Sequence, residues 1–162
     1  MQPLVEVRPY RSEVVTHSHD FHQVVLPLTG ELRMVIGAHE GAVSSKSVAL
    51  VAANLSHSFT GTDGNSFLVI DIPTRTGNAS DSLDTQLWEQ AQRHPFVDID
   101  AELLPLIEYI AGASQRGRLT RPCSHPCLCA YVECGVRAIR SGGTWKLAAR
   151  ASHHCGLHRR SP

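Results

Sequence analysis

A chain of 162 residues, 42% hydrophobic and 19% charged, is long enough for one domain with a proper core and not for two. No apolar run reaches bilayer length, and Met1 to Val15 carries Glu6, Arg8, Arg11 and Glu13 instead of a signal-peptide core, so a cytoplasmic protein without a membrane-spanning helix is expected. The zero net charge hides an asymmetry: residues 1–120 hold eight Lys/Arg and fourteen Asp/Glu, residues 121–162 seven and one.

The first half alternates with period two, the signature of strands with one face buried. Leu4-Val5-Glu6-Val7 can start a sheet, and Pro9 ends it. Glu13 to Thr16 leads into the histidine-rich stretch from His17 to Gln23, and Val24-Val25-Leu26 continues as strand. Thr29-Gly30-Glu31 reads as a turn, Leu32, Met34 and Ile36 as one buried face, and Gly37 to Gly41 as the next turn before Ala42-Val43. Ser47 to Val51 is a further strand. Gly61 to Asn65 is a strong hairpin signal, and Phe67 to Ile72 is stopped by Pro73. Short strands at close spacing predict a mainly β fold, an antiparallel jelly-roll barrel over residues 1–78.

After a polar linker from Thr74 to Asn78 the period moves to near four. Ser80 or Asp81 can cap a helix that aligns Leu83, Leu87 and Ala91 beside Trp88. A second helix is predicted from near Asp98 or Asp100, with Leu103, Leu106, Ile107, Ile110 and Ala111 as its apolar set and Pro105 at the first turn or a bend. Residues 79–118 thus form two α-helices docked on the barrel. Their surplus apolar surface predicts a homodimer.

Residues 119–162 read as irregular, either a disordered tail or coding sequence out of frame. Glycines and prolines interrupt every apolar run there, leaving Val132 to Ile139 as the one plausible short element. All five cysteines (Cys123, Cys127, Cys129, Cys134, Cys155) fall in it without the paired CxxC knuckles of a structural zinc site.

The chemistry concentrates at His17-Ser-His19-Asp20-Phe21-His22-Gln23 and at His57. On an extended segment His17, His19 and Gln23 share one parity and can enter one cavity, each from its own rung, whereas His22 has the opposite parity and points outward or to an edge. His17, His19, Gln23 and His57 are the candidate ligand-binding residues and the candidate holders of a divalent metal ion, three imidazoles with a weak amide oxygen. The same four also read as a polar barrel mouth that hydrogen-bonds a small effector.

The spacing HxH, three residues, an acid or amide, six residues and Gly30 resembles the first cupin motif, and Lys46 to His57 resembles the second. Gln23 stands where enzymatic cupins usually carry glutamate, and Lys46, Ala52 and Asn54 replace the usual glycine, proline and glycine. More closely, residues 17–73 look like the N-terminal effector-binding domain of AraC-type transcriptional regulators. That resemblance implies a small-molecule-sensing, dimerising module without catalytic residues, truncated or frameshifted before the helix-turn-helix units. DNA would be a partner only in an intact relative, and no operator-specific binding is expected here. The reading from another class is a small metal-dependent cupin oxygenase or isomerase.

Overall fold

Leu32-Arg33-Met34-Val35-Ile36 shows how the sheets are built: Leu32, Met34 and Ile36 are buried while Arg33 and Val35 are exposed, so the strand has one core face. The computed structural model describes residues 4–74, 83–118, 136–141 and 144–149. Eight strands precede the first helix: β1 (Leu4–Arg8), β2 (Val15–His17), β3 (His22–Thr29), β4 (Leu32–Ile36), β5 (His39–Val43), β6 (Ser47–Val51), β7 (His57–Gly61) and β8 (Ser66–Ile72). They form two sheets, one beginning β1-β8-β3-β6 and the other ordered β2-β7-β4-β5.

Strands 1 and 8, 2 and 7, 3 and 6, and 4 and 5 pair antiparallel, the nested pairing of a long hairpin wound into two Greek keys. That order is a jelly roll. The predicted barrel is therefore realised as two facing sheets, with no strand pairing joining them among the described residues.

Two cores result. Val25, Leu32, Met34, Ile36, Val43, Ala49, Val51, Phe67 and Val69 fill the space between the sheets. Val48, Leu50, Leu68 and Ile70, on the other face of the larger sheet, pack with α1 (Leu83–Arg93) and α2 (Leu104–Gln115). Strands β6 and β8 are thus apolar on both faces because both are covered. Pro27 is tolerated in β3 because pairing with β6 ends at Val25 and the β8 ladder shifts register just after Pro27.

The helical half departs from expectation in three places. Phe96–Ile99 is a strand, β9, paired with β6, at the place where the second helix was expected to begin. The second helix follows a single 3-10 turn, Ala101–Leu103, whose N-terminal Glu102 N–H is accepted by the Asp100 side chain at 3.2 Å; Pro105 sits in the first turn of α2. Its face is largely used within the chain: Leu103 and Ile107 are buried against the sheet, and Tyr109 is the large apolar side chain left exposed. The surplus that suggested a dimer is correspondingly smaller. The cap at Ser80 or Asp81 lies outside the described residues.

Residues 136–141 and 144–149 are strands β10 (Val136–Ser141) and β11 (Thr144–Ala149), not irregular chain. Their register closes at Ser141 against Thr144, and β11 lies parallel to β9 as the continuation of the larger sheet. The cysteines and the first half of the element expected at Val132 to Ile139 lie outside the described residues, and its second half falls in β10. Among the described residues, no helix is long and apolar enough to cross a membrane.

Candidate metal centre

The histidine stretch is not one strand. His17 ends β2 in the smaller sheet, Gln23 lies near the start of β3 in the larger one, and His19 sits in the crossing between them. His57 opens β7 directly opposite His17, so these two share a rung instead of occupying different ones. Antiparallel partners present their side chains on the same face, which brings the imidazoles together. The Asn54 N–H donates to the His19 carbonyl at 2.7 Å, and Asn54 takes φ 63°, a left-handed conformation that asparagine accepts better than most residues.

One ring nitrogen from each of His17, His19 and His57 lies within 4.8 Å of the others. His17 is exposed, His19 intermediate and His57 buried. The His19 Nδ1–H donates to the Phe21 carbonyl at 2.7 Å and the His57 Nδ1–H to the Leu55 carbonyl at 3.0 Å. Carbonyls only accept, so both rings are held in the tautomer that leaves a lone pair on Nε2. Both Nε2 atoms are buried and have no hydrogen-bond partner among the described residues. Burial, opposed in part by the Leu55 carbonyl and aided by His17 and His19, lowers the His57 pKa to about 4. Burial, His19 and Arg8 lower that of His17 as well.

This donor set fits a divalent cation. Nitrogen lone pairs converge, the His17 and His57 rings favour the neutral form that ligates, and backbone carbonyls grip His19 and His57 from behind as metal-bound histidines require. Buried acceptors without partners are otherwise costly, and a cation would satisfy both.

Gln23 is buried beside the three histidines at the cavity wall. Its Nε2 donates to Asp71 Oδ1 at 2.8 Å, and Asp71 Oδ2 accepts from Arg8 at 2.9 Å. His22 lies on the outer face as its parity implies: its Nδ1 accepts from the Ala53 N–H at 3.0 Å, and its ring stacks on Trp88 of α1 at 4.0 Å.

Beside the histidines is a cavity of about 300 Å³ that His17 and Gln23 line together with Arg8, Tyr10, Glu13 and Phe59. The side chain of buried Asn65 positions this wall by pairing with both the N–H and the carbonyl of Tyr10. The sequence reading passed over Arg8, Tyr10, Asn65 and Asp71. Asp71 carried a signal, a lone carboxylate inside the apolar run Phe67 to Ile72, where burial demands a partner.

No protein-family model matches the chain, and no curated protein matches it in sequence. Among solved structures, a conserved protein of unknown function from Streptococcus pyogenes is 15% identical with a TM-score of 0.37, over 46% of this chain and 77% of its own. Oxalate decarboxylase from Bacillus subtilis, with Mn(II) centres, is 17% identical with a TM-score of 0.34, over 48% of this chain and 20% of its own. The strand order makes the chain an antiparallel jelly roll, the fold class expected from its sequence.

Proposed function

We propose that this cupin-like domain is a small-ligand sensor of the kind found in AraC-type regulators, not an enzyme, and that its binding site includes a divalent cation. The observation that carries the cation is the pair of buried, unpartnered Nε2 atoms on His19 and His57. His17, His19 and His57 would hold the ion, which when bound supplies a Lewis-acidic position for an oxygen of the ligand. Gln23 and Arg8 would orient that ligand from the cavity wall.

Sensing draws support from how the site is tied to α1. The segment from Ala52 to His57 ends in one candidate ligand, donates from Asn54 to the carbonyl of another, and donates from Ala53 to the His22 ring that stacks on Trp88. Occupancy that tightens this segment would favour one docking of α1, a shift between pre-existing arrangements. Dimerisation through α2 belongs to the same proposal, and DNA contact would need helix-turn-helix units.

The enzyme reading draws on the same three imidazoles, a set that leaves coordination positions open. Hydrogen exchange of the full chain with and without zinc discriminates. The sensor reading expects slower exchange in α1 as well as in residues 52–57; protection confined to the histidines would contradict it.

A further inference from the structure

Arg8 ends β1 at the cavity and is held by partners that do not exhaust it. Its Nε donates to Glu6 Oε2 and one terminal nitrogen to Asp71 Oδ2, each at 2.9 Å, and it also meets the Tyr10 hydroxyl. A guanidinium has five N–H donors in a fixed fork, more than three partners consume. The group is therefore anchored with capacity to spare, the condition under which an arginine binds an anion at little ordering cost. His17 lines the same cavity.

The charges around the cavity point the same way. Arg8 and Arg11 stand against Glu6, Glu13 and Asp71, which alone leaves a deficit of one positive charge. A dication on the three histidines turns that into an excess of one, so the loaded site would be balanced by a monoanion. The remaining lining is apolar: Tyr10 meets Phe59 edge-on at 4.6 Å, Phe59 meets His17 at 5.4 Å, and Val15 lies beside them. At roughly 30 Å³ per water-sized group, 300 Å³ holds about ten non-hydrogen atoms.

We infer that the cavity takes a small organic monocarboxylate with an apolar or aromatic body, and that Arg8 receives its carboxylate. This rests on the three-histidine cation centre proposed above. The full chain, loaded with zinc, is titrated calorimetrically with benzoate, with its neutral counterpart benzamide and with the cation benzylamine. Benzoate is expected to bind at least about tenfold more tightly than either, as a charge-assisted pair requires. Arg8→Gln should remove that preference at unchanged zinc stoichiometry, and Arg8→Lys, which keeps the charge without the fork, should retain part of it. The comparison among the three probes on the unmodified chain reads the inference even where a variant fails to fold. Zinc that loads while benzamide binds as well as benzoate, or no benzoate binding up to about 10 mM, overturns the monocarboxylate and leaves the cation centre standing. A preference that survives Arg8→Gln removes Arg8 from it. Zinc that fails to load overturns the centre itself, and this inference with it.

Discussion

His17 and His57 are register partners across β2 and β7, their ring centroids 4.3 Å apart and their planes at 76°. The pairing places a candidate ligand at the exposed end of one short strand against a candidate ligand at the buried start of another. Its two histidines differ in what holds them: His57 has the Leu55 carbonyl behind it and Ile36 on its other flank in the sheet. Replacing His57 should therefore damage both the centre and the core, and replacing His17 chiefly the centre. His17→Ala is expected to leave the melting temperature of the cation-free chain within about 2 °C, and His57→Ala to lower it by more, consistent with loss of a buried side chain. Equal effects would contradict the division.

Acid should destabilise the cation-free chain in a defined window. The His57 pKa falls from 6.5 to about 4 on folding, so between those values the unfolded chain binds the proton more readily. Stability is fully present above about pH 6.5, falls as the pH drops towards 4, and loses nothing further to this group below that. Urea denaturation across the window is expected to show a loss on the order of 1–3 kcal/mol, reduced in His57→Phe. A flat profile would contradict it.

Asn54 tests the backbone that carries the site. With φ at 63°, Asn54→Ala should cost about 1 kcal/mol and Asn54→Gly little or nothing, the order set by side-chain crowding in the left-handed region. Thermal unfolding reads it. Equal stability of the alanine and glycine variants would place the control of this turn elsewhere.

His22 separates docking of α1 from the centre. His22→Ala removes the acceptor of the Ala53 N–H and the ring on Trp88, together worth about 1–2 kcal/mol. Zinc stoichiometry should be unchanged, while the zinc-dependent protection of α1 should disappear. Protection that persists would sever the proposed link.

Residues 1–118 should still melt cooperatively on their own. All eight jelly-roll strands pair within that span, and among the described residues truncation removes β10 and β11, the latter paired parallel to β9 with Lys146 against Asp98 and Leu147 against Ile99. A melting temperature lower by a few degrees is expected. A broad, non-cooperative transition would show that β10 and β11 are integral to the fold.

The jelly roll was legible wherever alternation and turn residues agreed, as in Leu32 to Ile36 between Gly30 and Gly37, both at positive φ. β9 was not, because four residues are too few to display a period and Asp100 reads equally well as a helix cap. The element expected at Val132 to Ile139 overlaps β10, whereas β11 was missed because the glycines of this stretch were weighed as interruptions. At the site, the HxH spacing named His17 and His19 and the second motif His57, whose nitrogens the structure brings together, yet the shared rung of His17 and His57 is a matter of which sheet each strand joins, and that is not local. Gln23 had the right parity and a different partner: Asp71 is 48 residues away, and only the β3–β8 register puts the two side by side.

The account stands on the three-histidine centre, and native mass spectrometry after zinc loading and desalting tests it most directly. One zinc per chain is expected, retained in Gln23→Ala and weakened at least about a hundredfold in His19→Ala, beyond the roughly 10–100-fold cost of losing an outer partner. A chain that retains no zinc, or a His19→Ala variant that retains it as tightly as the unmodified protein, would contradict the account.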